Sequence, residues 1–153
     1  MTTIAWDGKT LACDRGLWAG NMQTEVCKLF RFTTGDIKRK GYPHGAWAST
    51  GDWAFNHAFK EWLMDGDAPF PLIGKEANID ASIGIMVASH TCEAYTVHMR
   101  GTITPIVGIA AAGAGGMFAL GVLAAGGSSV HAIQLAMKYT DAAAFGVDQW
   151  SPT

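Results

Sequence analysis

The strongest fold signal in the chain is the stretch MTTIAWDGKTLACDR, residues 1–15. Side chains at residues 3–6 favour a strand, Asp7-Gly8 is a strong hairpin signal, and residues 10–13 make the return strand. This hairpin brings Asp14 back beside Thr2. The sequence therefore predicts a carboxylate next to the second residue of the chain.

Thr2 is a candidate nucleophile. Methionine aminopeptidases remove Met1 when the second residue is small, and threonine is small enough. The freed threonine carries a hydroxyl and an α-amine whose pKa is about 8, so the amine can accept the hydroxyl proton near neutral pH. If Met1 is retained, the amine belongs to methionine and Thr2 has no such base. Because Met-Thr is a common start, the assignment depends on the other residues.

Length and composition restrict the class of protein. The 153 residues make one domain, residues 1–153, with 49% hydrophobic and 16% charged residues, a composition compatible with an oligomer. The net charge is −2 and the basic residues are scattered, which argues against a nucleic-acid partner. Three separated cysteines and the lack of a secretory signal fit the cytoplasm. Cys13 and Cys27 are expected in the core.

One stretch, residues 101–137, contains no Asp, Glu, Lys or Arg, and a run of this length can hold a membrane helix. Pro105 and the glycines at 113–116 and 126–127 cut it into pieces. The helical piece, 117–125, is far shorter than the roughly 20 residues that span a bilayer. We therefore expect no membrane partner.

The remaining periodicity predicts an α+β fold. Phe55, Phe59 and Trp62 recur at helical spacing, so a helix runs from near Asp52 to Gly66. Two antiparallel sheets are expected, with helices covering their outer faces. The other predictions are a loop at 15–24, strands at 25–32, 45–49, 82–88, 94–99 and 106–112, a loop at 67–78, helices at 117–125 and 130–140, and a strand or tail at 141–150.

Several familiar sites are not predicted. The glycines at 113–116 do not complete a dinucleotide fingerprint, because Phe118 takes the place of its last glycine. No Gly-x-Ser-x-Gly elbow is present, so a serine hydrolase of the α/β type is not supported. We expect neither a metal site nor a cofactor, because the five histidines are dispersed: His44, His57, His90, His98 and His131.

The chemistry that remains combines Thr2, Asp14 and Lys28. A lysine at a strand edge is usually solvated, but one that is turned inward needs an acidic partner, and Asp14 is available. A buried Lys28 ammonium near Thr2 would lower the pKa of the terminal amine through like-charge repulsion. Asp14 would hold Lys28 charged and oriented.

Five short motifs accompany these residues: MTTI at 1–4, ACD at 12–14, VCKL at 26–29, AWASTGD at 46–52 and GAGG at 113–116. In these motifs the chain resembles the proteasome β-subunit family, including the HslV type, within the N-terminal nucleophile hydrolases. Its length resembles short bacterial or phage-type members. The resemblance implies a four-layer αββα sandwich, with Thr2 as the nucleophile, its amine as the base, and Asp14 and Lys28 as supports.

The resemblance also implies an oxyanion hole formed by a backbone N–H near Ser49, and a substrate side-chain pocket near Ala46. Asp141 would support the site. The family usually has serines where this chain has Ala114 and Ala144, which thins the hydrogen bonding around the amine.

Family members assemble into rings, and an ATPase can feed them unfolded protein. The resemblance therefore implies a threonine peptidase in a homo-oligomeric ring, acting on peptides or unfolded proteins. The alternative is a ring-forming relative without peptidase activity.

Overall fold

The computed structural model describes residues 1–71 and 82–153, which form an α+β fold as predicted. The three helices are α1 (Trp53–Met64), α2 (Gly116–Ala124) and α3 (Ser129–Tyr139). The strands are β1 (Thr3–Trp6), β2 (Leu11–Asp14), β3 (Gly16–Ala19), β4 (Met22–Glu25), β5 (Leu29–Phe32), β6 (Gly45–Ser49), β7 (Ser82–Ala88), β8 (Ala94–His98), β9 (Ile103–Ile106), β10 (Ala110–Gly113) and β11 (Val147–Trp150).

The predicted N-terminal hairpin is at the centre of a four-stranded antiparallel sheet with the order β10-β1-β2-β11. Ile4 pairs with Cys13, so the end of β2 returns to the start of β1. Gly8 has a φ of +91°, which glycine adopts without strain. One Asp7 carboxylate oxygen accepts hydrogen bonds from the backbone N–H groups of Lys9 and Thr10. The sequence prediction of this hairpin is confirmed.

The second large sheet is antiparallel and has five strands in the order β5-β6-β7-β8-β9. Every residue of β6 is buried. Helix α1 begins after Asp52, as predicted, and the Asp52 side chain accepts a hydrogen bond from the N–H of Phe55. The helix ends at Met64, two residues before the predicted end at Gly66. Likewise, α3 begins after Ser128, which caps it through the N–H of His131.

The apolar residues form three clusters. The inter-sheet core joins β1 and β2 to β5, β6, β7 and β8. The α1 core lies between the five-stranded sheet and α1, and the α2–α3 core joins β1 and β2 to α2 and α3. Within residues 1–71 and 82–153, no helix is both long and apolar enough to cross a membrane.

Three sequence predictions of secondary structure need correction. Part of the loop predicted at 15–24 is a hairpin, β3–β4, which turns at Gly20 with a φ of +60°. The strand predicted at 25–32 starts only at Leu29. The strand predicted at 106–112 is divided between β9 and β10, which belong to different sheets, because Gly108 turns the chain with a φ of +81°.

The two cysteines that were expected in the core differ in burial. Cys13 is buried as predicted, whereas Cys27 is exposed and lies in the irregular segment before β5, outside the strand that was predicted there. Of the loop predicted at 67–78, residues 72–78 lie outside the described residues.

Candidate active site

A buried ion pair lies at the start of the central hairpin. The Nζ atom of Lys28 is 3.1 Å from each carboxylate oxygen of Asp14. Lys28 is 2% exposed and Asp14 is fully buried. The hairpin places Asp14 opposite the first residues of β1, and the irregular segment before β5 allows Lys28 to turn inward. The sequence prediction that these two residues lie together agrees with this geometry.

Asp14 is held from several directions. Its Oδ1 accepts a hydrogen bond from the N–H of Thr3 at 2.9 Å, and its Oδ2 accepts from Gly16 at 3.0 Å and Ala144 at 3.2 Å. These three backbone donors come from β1, β3 and the segment that follows α3. Together with Lys28 they fix the carboxylate in position and stabilise its charge.

The third hydrogen bond of Lys28 connects the ion pair to Thr2. The Nζ atom donates to the carbonyl oxygen of Met1 over 3.0 Å. The Met1 carbonyl carbon is bonded to the nitrogen of Thr2, so standard peptide dimensions place the ammonium within roughly 5 Å of that nitrogen. Thr2 is buried, whereas Met1 is 51% exposed. Removal of Met1 would therefore leave the ammonium facing a free Thr2 amine.

The electrostatics follow from burial and proximity. Burial lowers the pKa of Lys28, and the adjacent Asp14 carboxylate acts in the opposite direction. The pKa of the Met1 α-amine is lowered from 8.0, first by burial and second by the charge of Lys28, while Asp14 opposes the shift. The site thus lowers the proton affinity of an N-terminal amine.

The glycines at 113–116 hold the N-terminal strand closely. A Cβ atom on Gly113 would lie 2.1 Å from the carbonyl oxygen of Thr2, and one on Gly115 would lie 2.0 Å from Oγ1 of Thr3. The N–H of Gly115 donates to the Thr2 carbonyl at 3.3 Å. The sequence suggested a tight strand-to-helix turn with close backbone packing here, and the structure has that turn directly beside Thr2.

Thr2 lies at an open cleft with a volume of about 690 Å³. A second cavity of about 430 Å³ adjoins it and shares Thr50, Gly51 and Ala114 with the cleft. A chain longer than one residue therefore has space beside Thr2. The cleft is lined by residues of the β3–β4 hairpin, the β6–α1 connection and the turn before α2, including Leu17, Trp18, Thr50, Gly51, Trp53 and Ala114.

The connection from β6 to α1 contains a backbone donor for this cleft. Ser49 is buried and its N–H donates to the carbonyl of Lys28 at 3.0 Å, while the N–H of Thr50 donates to Ile83 at 3.0 Å. The N–H of Gly51 makes no hydrogen bond with any described residue. Of these three adjacent N–H groups, the one at Gly51 is open to a ligand.

The other predicted site residues lie elsewhere. Ala46 is fully buried in the inter-sheet core and is not among the residues that line the cleft at Thr2, so the substrate pocket near Ala46 stays a prediction. Asp141 is exposed, and its carboxylate makes no hydrogen bond or ion pair with residues 1–71 or 82–153. Ala114 lines the cleft. Ala144 has no hydroxyl, but its backbone N–H contacts Asp14 directly.

Two contributions were not predicted from the sequence. The backbone at residues 142–144 closes around the site, because the carbonyl of Ala142 accepts from Oγ1 of Thr3 at 2.9 Å and the N–H of Ala144 binds Asp14. Backbone groups leave no signature in residue types. The second contribution comes from Asn56 of α1. The sequence signal that could have identified it is a polar residue on the buried side of a predicted helix. Within the described residues, no group of three or more His, Cys, Asp or Glu side chains could hold a metal ion.

Comparisons with known proteins identify similar folds. BPH from Thiobacillus denitrificans matches with a TM-score of 0.65 and 16% identity, covering 97% of this chain and 95% of that chain. Thiobacillus denitrificans BPH in complex with epoxomicin gives 0.66 and 16%, covering 97% and 96%. Anbu from Hyphomicrobium sp. strain MC1 gives 0.63 and 12%, covering 99% and 82%. No family model and no curated protein matches the sequence. At these identities the likeness establishes the fold alone.

These structures correct the family predicted from the motifs. The folds that match are BPH and Anbu proteins rather than proteasome β-subunits or HslV, so the assignment to the proteasome β-subunit and HslV family is wrong. The motifs behind that assignment are short, and each describes local geometry such as a hairpin, a glycine turn or an Asp–Lys pair. Local geometry of this kind does not by itself identify a family.

Proposed function

We propose that the chain is an N-terminal threonine peptidase that becomes active when Met1 is removed. The observation that carries the proposal is the contact of the buried Lys28 ammonium with both Asp14 oxygens and with the Met1 carbonyl, beside an open cleft. A buried cation at this point lowers the pKa of the adjacent amine and favours negative charge on the Thr2 oxygen.

The proposed reaction has two stages. Oγ1 of Thr2 attacks the carbonyl carbon of a peptide bond, and the hydroxyl proton passes to the Thr2 amine. The N–H of Gly51 donates a hydrogen bond to the oxygen that becomes negative. The amine then protonates the leaving nitrogen, which departs and leaves an acyl ester on Thr2. Water hydrolyses the ester with the same amine as base, and restores the free hydroxyl.

The arrangement of the cores supports a further proposal, that the fold is the four-layer αββα sandwich of N-terminal nucleophile hydrolases. The inter-sheet core lies between the two large sheets, and each of these sheets has its own core against helices. This order of clusters is the one that a helix–sheet–sheet–helix stack would produce.

The substrate and assembly belong to the proposal as well. We expect a peptide or unfolded protein substrate, a homo-oligomeric ring in the cytoplasm, and an ATPase as a candidate partner. BPH from Thiobacillus denitrificans, which has a similar fold, has been solved in complex with epoxomicin. Epoxomicin is therefore a direct probe, and we expect it to inhibit the Met1-free chain and to protect it against thermal unfolding.

A second candidate function is a ring-forming protein without peptidase activity. The observation that favours it is Ala114, which lines the cleft beside Thr2 and has no hydroxyl with which to support the amine. Retention of Met1 would also favour this alternative, because the amine at the site would then belong to methionine.

The decisive experiment combines mass and turnover. Intact-mass spectrometry of the purified protein should show the loss of one methionine, and the protein should cleave fluorogenic peptides. Thr2→Ser retains a hydroxyl and an α-amine and should retain measurable activity, whereas Thr2→Ala and Lys28→Ala should abolish it. Full retention of Met1, or undiminished turnover in Thr2→Ala, would exclude the mechanism.

A further inference from the structure

Asn56 holds the peptide group that carries the free N–H of the cleft. Its side-chain Nδ2 donates to the carbonyl oxygen of Thr50 at 2.9 Å. The peptide bond from Thr50 to Gly51 is trans, so that carbonyl and the N–H of Gly51 point in opposite directions. Asn56 is 1% exposed and Gly51 lies at the surface of the cleft. The N–H is thereby turned from the buried side towards the cleft.

The environment of Asn56 argues against a role in packing alone. It lies on the buried side of α1, between apolar residues that face the α1 core. Its Oδ1 is buried and has no hydrogen-bond partner among the described residues. An unpaired buried polar atom costs about 1–3 kcal/mol, so an amide at this position destabilises the fold. Its one side-chain hydrogen bond among described residues is the bond to Thr50.

The backbone conformation of Gly51 restrains the same peptide group from its C-terminal side. Its φ of +87° is readily adopted by glycine and strained for other residues. A Cβ atom at Gly51 would meet no atom within 4 Å, so conformation, and not space, restricts this position. Asn56 is anchored in the first turn of α1, because the backbone N–H of Asn56 donates to the carbonyl of Asp52 at 3.0 Å.

We infer that Asn56 is a positioning residue for the oxyanion donor of the reaction proposed above, and the inference rests on that proposed function. Asn56 touches no substrate. It acts through the Thr50 carbonyl, and keeps the Gly51 N–H aimed at the oxygen that becomes negative when Thr2 attacks. A donor that is fixed in advance stabilises the transition state without reorganisation during the reaction.

The kinetic test uses Asn56→Leu, which has similar volume and no donor. Removal of an oxyanion donor costs about 10²–10³ in kcat, and a misdirected donor should cost about 10- to 100-fold, with KM changed less than about twofold. A loss confined to KM, or no loss, would overturn the inference. Thermal unfolding checks that the variant folds.

A pair of inhibitors separates positioning from general damage. Thr2 Oγ1 adds to the carbonyl carbon of acetyl-Leu-Leu-norleucinal, and the carbonyl oxygen takes up the proton, which gives a hemiacetal whose oxygen occupies the oxyanion position. The matching amide, acetyl-Leu-Leu-norleucinamide, binds without that addition. Asn56→Leu should weaken the aldehyde in proportion to kcat/KM and leave the amide nearly unchanged. Equal weakening of both inhibitors would contradict the positioning role.

Gly51→Ala provides the second variant if Asn56→Leu does not fold. It displaces the same peptide from the surface and should reproduce the kinetic pattern. Where Asn56→Leu does fold, the double variant should be no worse than the poorer single one. Gly35→Ala is the matched control, because Gly35 has a φ of +94° and equally open space but lies in a turn outside the cleft lining. If Thr2→Ala turns over peptides as fast as the unchanged protein, the proposed function fails. If turnover depends on Thr2 but not on Asn56, the proposed function stands and only this inference fails.

Discussion

Asp14 contributes to the candidate site through the hydrogen bonds that it accepts as well as through its negative charge. Its two oxygens accept hydrogen bonds from Lys28 and from the backbone of Thr3, Gly16 and Ala144. A carboxylate is suited to this position because it presents acceptors only. The residue therefore connects the N-terminal strand, the β3–β4 hairpin and the segment after α3 in one place.

Replacement of Asp14 by asparagine should destabilise the fold despite the nearly equal size. The amide NH₂ would face N–H donors, and Lys28 would become an uncompensated buried charge, so we expect a loss of about 3 kcal/mol in the free energy of unfolding. Urea unfolding measures this loss. The control is Asp141→Asn, an exposed carboxylate, which should change stability by less than about 0.5 kcal/mol. Equal effects of the two substitutions would contradict the hydrogen-bond assignment.

The pH dependence of peptide cleavage should report the terminal amine. The base must be neutral. Burial and Lys28 lower the pKa of the Met1 amine from 8.0, and we expect the same two effects to act on the Thr2 amine once Met1 is removed. Activity should therefore persist below pH 8.0 and fall about tenfold per pH unit once the amine is protonated. Measurement of kcat/KM from about pH 5 to about pH 9 locates this acid limb. A midpoint above 8.0 would mean that the Lys28 charge does not act on the base.

Individual site residues differ in how far the sequence could identify them. Asp14 was predictable because a two-residue turn fixes the register of a hairpin, and Lys28 because a buried cation needs an acid. Ala46 could not be assigned to a face of the sheet from the sequence, because every residue of β6 is buried and the strand shows no polar alternation. The Gly51 N–H and its support by Asn56 depend on the orientation of one peptide plane, which residue types do not encode.

Among the elements, the β1–β2 turn has two functions. Asp7 closes the turn through the N–H groups of Lys9 and Thr10, and its other oxygen accepts from the N–H of Ser129 at 2.9 Å. That bond attaches the first turn of α3 to the central hairpin. Burial raises the pKa of Asp7, but the hydrogen bonds from Ser129, Thr10 and Lys9 outweigh it, and the pKa is lowered from 3.8.

Asp7→Ala should therefore cost about 1–2 kcal/mol of stability at neutral pH, a typical loss for a capping carboxylate. Because folding lowers the pKa, the contribution is present above the unfolded pKa and is lost as pH falls through the folded value. The stability difference from the unchanged protein should shrink between about pH 5 and about pH 2. Asp7→Asn keeps an acceptor oxygen and should lose less. A difference that is constant with pH would contradict the role of the charge.

Elements were predictable where one local signal governed them, and they were not where tertiary pairing decided. The spacing of Phe55 and Phe59 located α1, and the serines at 128 and 129, either of which could cap a helix, located the start of α3. No local sequence signal shows that the apolar run at 106–112 is divided between two strands. It crosses from one sheet to the other at Gly108, and only the long-range pairing of β10 with β1 reveals the division.

At the scale of the whole molecule, the three helices expose different surfaces. The outward residues of α1 include Lys60 and Glu61, and α3 carries Lys138 in its last turn. Helix α2 contains no charged residue, and its Met117 is 82% exposed. An apolar helix that faces water is stabilised when another protein surface covers it. The low charge content of the chain is consistent with this arrangement.

We therefore predict that the chain self-associates through the outward face of α2. Light scattering should give a mass that is a multiple of 16.2 kDa, and Met117→Glu should shift it towards the monomer, because association would bury the new carboxylate without a partner. Met64→Glu is the matched control, since Met64 is 38% exposed at the end of α1, where charged neighbours already lie. It should leave the mass unchanged. A monomer in both the unchanged protein and Met64→Glu would contradict the ring proposal, and an assembly that survives Met117→Glu would place the interface elsewhere.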